Sequence, residues 1–472
     1  MKKITIFTFL ISNLLLANTR TAEHNAAAEK FYNWHFFENG RGMSISPNLS
    51  KLMWMLGADN RDGPLGDSEA GATSFIERRY GFIERNKKLM GVFKVKYKNM
   101  EIGVLGCTAC HSGKAAGIII PGLGNKTIDP YKVGRDTYKI QRFWGSRSSN
   151  PDYKYIYNKA QHFAKITSDK KISSLTRGLV PDSTIKTFFY EDQGLPYPKD
   201  MGRAQVKVPH LWGIGAKREA GIFNDGSLSG DNYAWIFGAE LFASDSGEHL
   251  RNVLPQIKWL TDEVLSKLLP PKYPFTINNA LAAKGKVLYK SSCLKCHGPH
   301  HLDAKKNPIY TAPKVIPKNK VNTDSEKLLA ISPEFVARVE QSSLSDILTF
   351  NYDLVQKGYF APKLWGIWSR FPYLHNGSVP NLYQLMIRPE ERSKIFSMYR
   401  AGDKHRFDEK NIGLTLFTKN EYAKMLRKAK KGDRDIYFIE REGQSNVGHF
   451  IKGFEKFTKE DRLALVEYLK TL

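Results

Sequence analysis

Two stretches, "GVLGCTACHSG" and "YKSSCLKCHGP", hold all four cysteines of the 472-residue chain, and each places a histidine directly after a Cys-x-x-Cys pair. Three chemistries use such a pair: a disulfide or redox dithiol, half of a zinc site, and thioether attachment of haem. Neither a disulfide nor a zinc ribbon of four thiolates needs the histidine. Haem c does. Its two sulfurs bond to the macrocycle, and the next residue supplies the proximal imidazole of the iron. Two copies that exhaust the cysteines therefore point to two haems c, one on Cys107, Cys110 and His111 and one on Cys293, Cys296 and His297.

Function then turns on the sixth ligands, because an iron with both axial sites filled passes electrons and an open one can react with small oxidants. Of the twelve histidines, His111 and His297 are the proximal ligands, and His24, His300 and His301 are expected at the surface. That leaves His35, His162, His210, His249, His375, His405 and His449. His449 stands out, in "GQSNVGHFIKG" just before the last helical segment, where the chain of a cytochrome c domain passes the distal face. Met386 in "NLYQLMIRPEE" is its rival, as a thioether ligand or as a core gap-filler.

The elements that must position these groups differ between the two copies. Before Cys293, "FTINNALAAKGKVLYK" reads as a helix capped by Thr276, with Leu281, Val287 and Leu288 at apolar spacing. At the chain end, "FTKEDRLALVEYLKTL" reads as a helix capped by Thr458 with Asp461 three residues on, and Leu463, Val466 and Leu469 on one side. Entry and terminal helices are the minimal frame of a cytochrome c domain. Before Cys107, "GVFKVKYKNMEIGVLG" reads as a β-hairpin turning at Asn99. After it, "GIIIPGLGNKTIDPY" reads as a loop over a haem edge.

The expected fold class is mainly α: two cytochrome c-like haem domains with long irregular loops and a few short β-hairpins. The expected boundaries are a signal peptide over 1–22, an N-terminal haem c domain over 23–272 and a C-terminal one over 273–472. "LLPPKYPFT", with Pro270, Pro271 and Pro274, reads as a stiff linker between them. "KKNPIYTAPKVIPKNKVNTD" reads as a surface loop without chemistry. The duplicated Cys-x-x-Cys-His is the internal repeat expected.

"MKKITIFTFLISNLLLA" has two lysines ahead of an apolar run that ends near Ala17 or Ala22, the pattern of a secretory signal. A periplasmic or secreted product is the expectation. The net charge of +25 comes from Lys and Arg spread along the chain, with no nucleic-acid motif, so nucleic acid is excluded as a partner. A solvated basic surface is the simplest account. Steering toward an acidic redox protein, or peripheral contact with an anionic membrane, is the functional one.

"GYFAPKLWGIWSRFPYLHNGSVPNLYQLM", together with "SNVGH" and the order of the two haem motifs, resembles the superfamily of dihaem cytochrome c peroxidases, most closely its rubber oxygenase-like branch. "VPHLWGIG" is similar to another element of the branch, with His210 where a proline is expected. The resemblance covers most of residues 100–472. It implies that His449 is the distal ligand opposite His297, that Trp212 stands near the N-terminal haem as a bridge for electrons or radicals, and that His375 supports by hydrogen bonding. A packed core indole is the alternative for Trp212. A standard member would offer a histidine soon after the first motif, yet no His or Met lies between His111 and His162. The N-terminal haem is therefore open, or reached from afar by Tyr131, Tyr138, His162 or His210.

The function expected is an exported dihaem oxidoreductase. Its N-terminal haem would react with peroxide or dioxygen, and its C-terminal haem would relay electrons from a small periplasmic electron-transfer protein or serve a small-molecule substrate. A non-catalytic dihaem electron carrier is the alternative. The sequence leaves open the substrate and whether calcium sits between the domains.

Overall fold

The computed structural model describes residues 22–35, 43–45, 69–86, 88–145, 149–171, 173–198, 201–215, 247–310, 314–347, 353 and 357–472. The signal segment and the side chain of His249 lie outside the described residues. Helix is the commoner regular structure, but strands are more frequent than expected. One three-stranded sheet and six two-stranded ones occur among the described residues, so the fold is mixed rather than mainly α. The reason is local. Chain that turns every few residues cannot continue as helix, and short two-stranded ladders then satisfy its backbone groups.

The first haem motif hangs from sheet. Val92–Tyr97 pairs antiparallel with Met100–Leu105, whose other edge takes Met43–Ile45. The hairpin turns at Lys98 and Asn99, with Lys98 in the left-handed region at φ 50°. Its last strand runs through Gly106 into Cys107. Gly91 presses on the motif from below: a Cβ there would lie 2.0 Å from the Ala109 amide nitrogen. "GIIIPG" is not a loop. Ile118–Pro121 pairs with Ser112–Ala115 as a second hairpin, closed by Ala116 and Gly117 at φ 51° and 83°, as a tight two-residue turn requires. The helices Pro130–Gly145 and Pro151–Ser168 then pack on each other.

The second motif hangs from helix. Asn279–Ser292 delivers the chain to Cys293 and crosses the terminal helix Lys459–Lys470. Gly285 makes the crossing close, since a Cβ there would lie 1.9 Å from the Ala464 carbonyl oxygen. The terminal helix has the expected Thr458–Asp461 capping box. The entry helix is capped by Asn278, not Thr276: the Asn278 side chain accepts from the Leu281 amide at 3.1 Å.

One apolar cluster runs through both halves, from Ala27 and Phe31 through Trp212 to Trp368 and Leu469. The proline segment is packed rather than free, because Trp368 Nε1 donates to the Pro271 carbonyl at 2.9 Å. A buried ionic network adds a second tie. Arg434 pairs with Asp129 at 2.6 Å and Arg177 with Asp435 at 2.8 Å, so the segment that follows the basic helix Lys419–Lys430 is locked to the N-terminal half.

Candidate haem-binding site

Both Cys-x-x-Cys-His motifs open onto one cavity of about 560 Å³. Its wall includes Cys107, Cys110 and His111, then Cys293, His297 and His449, with apolar residues such as Phe31, Phe82, Leu265, Leu465 and Leu469 between them. Each motif is a short helical turn, Thr108–His111 or Leu294–His297, in which the histidine amide donates to the carbonyl of the first cysteine at 2.9 Å. The turn thus brings both cysteines and the histidine of the first motif, and Cys293 and His297 of the second, to the cavity wall.

Each imidazole is then held from behind by a proline carbonyl. His111 Nδ1 lies 3.0 Å from the Pro209 oxygen and His297 Nδ1 lies 2.8 Å from the Pro362 oxygen. An acceptor at Nδ1 fixes the proton there and leaves Nε2 as the bare donor to a metal. Burial pushes both imidazoles down to about 4, against the raising effect of the proline oxygens. They are therefore neutral at neutral pH, the form that ligates.

The two prolines belong to a repeat that sequence reading passed over. "VPHLWGIG" and "APKLWGIW" share Pro-x-Leu-Trp-Gly-Ile, and the structure uses them alike. Gly213 and Gly366 take φ 71° and 65°. Trp212 Nε1 donates to the Pro121 carbonyl at 3.1 Å and Trp365 Nε1 to the Ile309 carbonyl at 3.2 Å, each just beyond its own haem motif. The two turns touch: a Cβ on Gly366 would lie 3.2 Å from Trp212 Cζ3. Trp212 is fully buried. It stands between the turns, while its neighbours His210 and Leu211 line the cavity.

Opposite His297 stands His449, with ring centroids 6.2 Å apart. A metal–imidazole bond is about 2 Å and a ring nitrogen lies roughly 1 Å from its centroid, so two imidazoles sharing one metal place their centroids roughly 6 Å apart. The spacing fits. Burial pushes His449 down to about 3, helped by His297 and Arg392. The loop that carries it is fixed from three sides. The His449 amide donates to the Val321 carbonyl at 2.7 Å, Ser445 N to Asp324 at 3.1 Å, and Arg392 donates to the carbonyls of Gln384 and Asn446. Gly448 must be glycine, at φ 80° with Asn322 backbone 2.3 Å from where a Cβ would sit.

Val321 lies in the tract expected to be chemically idle. Instead, Val315–Pro317 pairs with Gly358–Phe360, and Val321 and Thr323 form part of the cavity wall. Met386 also lines the cavity, from the buried core, while Arg462 holds its carbonyl. The imidazole facing His297 is that of His449.

The other candidates are dispersed. His162 is exposed and pairs with Glu191 at 2.6 Å. His35 packs on Phe93, His405 is exposed, and Tyr131 lies under the Arg434 guanidinium. None of these, nor Tyr138, lines the cavity. His375 lines it and stacks on Tyr359 at 4.9 Å. His210 lines the cavity and packs on Trp212, with ring centroids 5.2 Å apart. Two expected surface histidines are not at the surface. His24 is buried and accepts from the Leu269 amide at 2.9 Å. His300 accepts from the Leu364 amide at 2.9 Å and meets Trp365 edge-on.

Alternatives to haem fit less well. Burial pushes the Cys110 and Cys293 thiols up to about 11 and about 12, away from the thiolate a redox dithiol needs. No group of three or more His, Cys, Asp or Glu gathers as a cation site among the described residues, which gives a zinc shared between the two motifs no support.

A family model described as RoxA-like, cytochrome c-like, matches residues 358–397, the stretch that holds Pro362, Trp365 and Met386. Residues 358–397 are a RoxA-like cytochrome c-like domain. Such a domain implies haem c, and the second Cys-x-x-Cys-His turn, with Pro362 behind His297, holds the residues that would attach it. The chain is also 30% identical over 155 residues to the uncharacterized protein y4iM of Sinorhizobium fredii (strain NBRC 101917 / NGR234), a match over 27% of this chain and 33% of that relative. The match therefore spans a third of the relative's length. No helix among the described residues is long and apolar enough to cross a membrane.

Proposed function

We propose that the chain is an exported dihaem c-type oxidoreductase in which the two centres have different tasks. The observation that carries this is an asymmetry. His297 faces the His449 imidazole with ring centroids 6.2 Å apart, and no ring pair of that kind is found for His111 among the described residues. The C-terminal centre relays electrons and the N-terminal one reacts with peroxide or dioxygen. Haem c, when attached, supplies the redox change itself.

The remaining work belongs to the chain. Cys107, Cys110, Cys293 and Cys296 tether the macrocycles, while the Pro209 and Pro362 carbonyls hold the Nδ1 protons of His111 and His297. The Val321, Asp324 and Arg392 contacts keep His449 facing its partner. Phe82, Leu260 and Leu265 line the first site with apolar surface that limits water. Trp212, between the two proline turns, serves as the bridge for electrons.

Electron paramagnetic resonance of the ferric protein tests this. One high-spin and one low-spin signal are expected. Two low-spin signals would contradict an open N-terminal centre and favour the carrier.

A further inference from the structure

Beside the two proline turns three cations gather, Lys207 and Arg370 on the cavity wall and Lys126 behind them, while the one carboxylate of that wall among the described residues, Asp182, is already paired with Lys327 at 2.7 Å. Lys207 lies two residues before Pro209. Its ammonium donates to the carbonyls of Arg370 and Pro372 at 2.7 and 2.8 Å. Arg370 donates through one terminal nitrogen to the Lys363 carbonyl at 2.8 Å, immediately after Pro362, and its Nε is buried with no partner. Lys126, 6% exposed, donates to the carbonyls of Lys114 and Ser369 and lies 4.1 Å over the Phe371 ring.

Lys207 and Arg370 line the large cavity. With Lys126 and His210 they also line a smaller pocket that shares this wall. Arg370 is close enough to His297 to help keep that imidazole neutral. Among the described residues no carboxylate pairs with any of the three cations; carbonyl oxygens and the Tyr310 and Tyr373 hydroxyls are what they face. Burial, with Arg370 and Lys126 adding repulsion, drives the Lys207 ammonium well below its ordinary range. Unpaired buried charges that repel each other are costly. An anion entering the cavity would offset that cost.

We propose that Lys207 and Arg370, with Lys126 behind them, bind the carboxylates of the porphyrins. This rests on the dihaem reading above and adds the groups that hold the macrocycle edge remote from the thioethers. The thioethers and the proximal imidazole leave a haem free to tilt, and two charge-assisted contacts on the carboxylate side remove that freedom. Because the cluster sits between the Pro209 and Pro362 turns, one set of fixed positive charges acts on both centres and raises their potentials together.

The test uses the holoprotein with Lys207→Met, Arg370→Gln and the charge-preserving Lys207→Arg. Haem content of denatured chain is counted first. The propionate bending band is then read by resonance Raman, and the reduction potentials by spectroelectrochemistry. The expected result is a moved band and a lowered potential in Lys207→Met and Arg370→Gln, with Lys207→Arg close to the parent. An unmoved band and unchanged potentials at full haem content would overturn the proposal. So would wild-type potentials that shift on adding acetate or phosphate while the band ignores the substitutions, since the cluster would then serve a free anion. A parent chain with a single haem would refute the dihaem reading instead, and the same band on that haem would still decide the carboxylate assignment.

Discussion

His297 and His449 face each other across the cavity with ring centroids 6.2 Å apart and planes inclined at 45°. Among the described residues neither imidazole has a carboxylate beside it, and both are kept neutral by burial. Replacing His449 with glycine should convert the low-spin signal of the C-terminal centre to high-spin while the haem stays attached through Cys293 and Cys296. Paramagnetic resonance of the variant reads this directly, and a persisting low-spin signal would refute His449 as ligand.

Gly285 sets the distance between the entry and terminal helices. Gly285→Ala would force a Cβ to 1.9 Å from the Ala464 oxygen. Overpacking of a fitted contact costs typically about 1–3 kcal/mol, and a backbone that cannot yield belongs at the upper end. Denaturant unfolding should show a lowered midpoint, whereas Gly432→Ala is a poor control because its φ of 83° penalises any side chain. Gly215→Ala, with ordinary contact at 3.7 Å, is the better one and should change little.

The paired tryptophans separate support from transfer. Trp212→Phe removes a buried Nε1 hydrogen bond and strands the Pro121 carbonyl, at about 1–3 kcal/mol, whereas Trp365→Phe removes a part-buried one to the exposed Ile309 and should cost less. Trp212 alone touches the other proline turn, at Gly366. Rapid reduction kinetics should show slowed transfer between centres in Trp212→Phe and near-parent transfer in Trp365→Phe. Equal rates in the two variants would reduce Trp212 to a packed indole.

Acid should loosen the ionic tie between the halves. Burial works to raise the Asp129 carboxyl, but Arg434 and Arg177 outweigh it and hold the group down to about 2. A depressed folded pKa gives stability that is present above the ordinary carboxylate value and lost as pH falls through the folded one. The shift from 3.8 is worth about 2 kcal/mol. Unfolding free energy should therefore fall between roughly pH 4 and pH 2, and Asp129→Asn should flatten that slope while lowering stability at neutral pH.

The sequence revealed the chemistry-bearing side chains better than the backbone that serves them. The two haem motifs, the Thr458 cap and the hairpin before Cys107 follow from local spacing, and His449 from its place before the last helix. Pro209 and Pro362 act through carbonyl oxygens, which every residue has, so no side-chain pattern marks them. Their signal was the repeated Pro-x-Leu-Trp-Gly-Ile, hidden because only one residue type in it is rare. The cation cluster was invisible for another reason. Lys126, Lys207 and Arg370 are ordinary among many basic residues, and only the fold shows that no carboxylate among the described residues meets them. His24 and His300 were misplaced because a histidine accepting one backbone amide looks, in sequence, like any polar surface residue.

The central claim is that both Cys-x-x-Cys-His turns carry covalent haem. Intact mass of the denatured, coloured chain tests it most directly: the account predicts the mature polypeptide plus two haem groups, falling to one in Cys107→Ala/Cys110→Ala and to one in Cys293→Ala/Cys296→Ala. A parent chain with the mass of bare polypeptide, or of polypeptide plus a single haem, would contradict it.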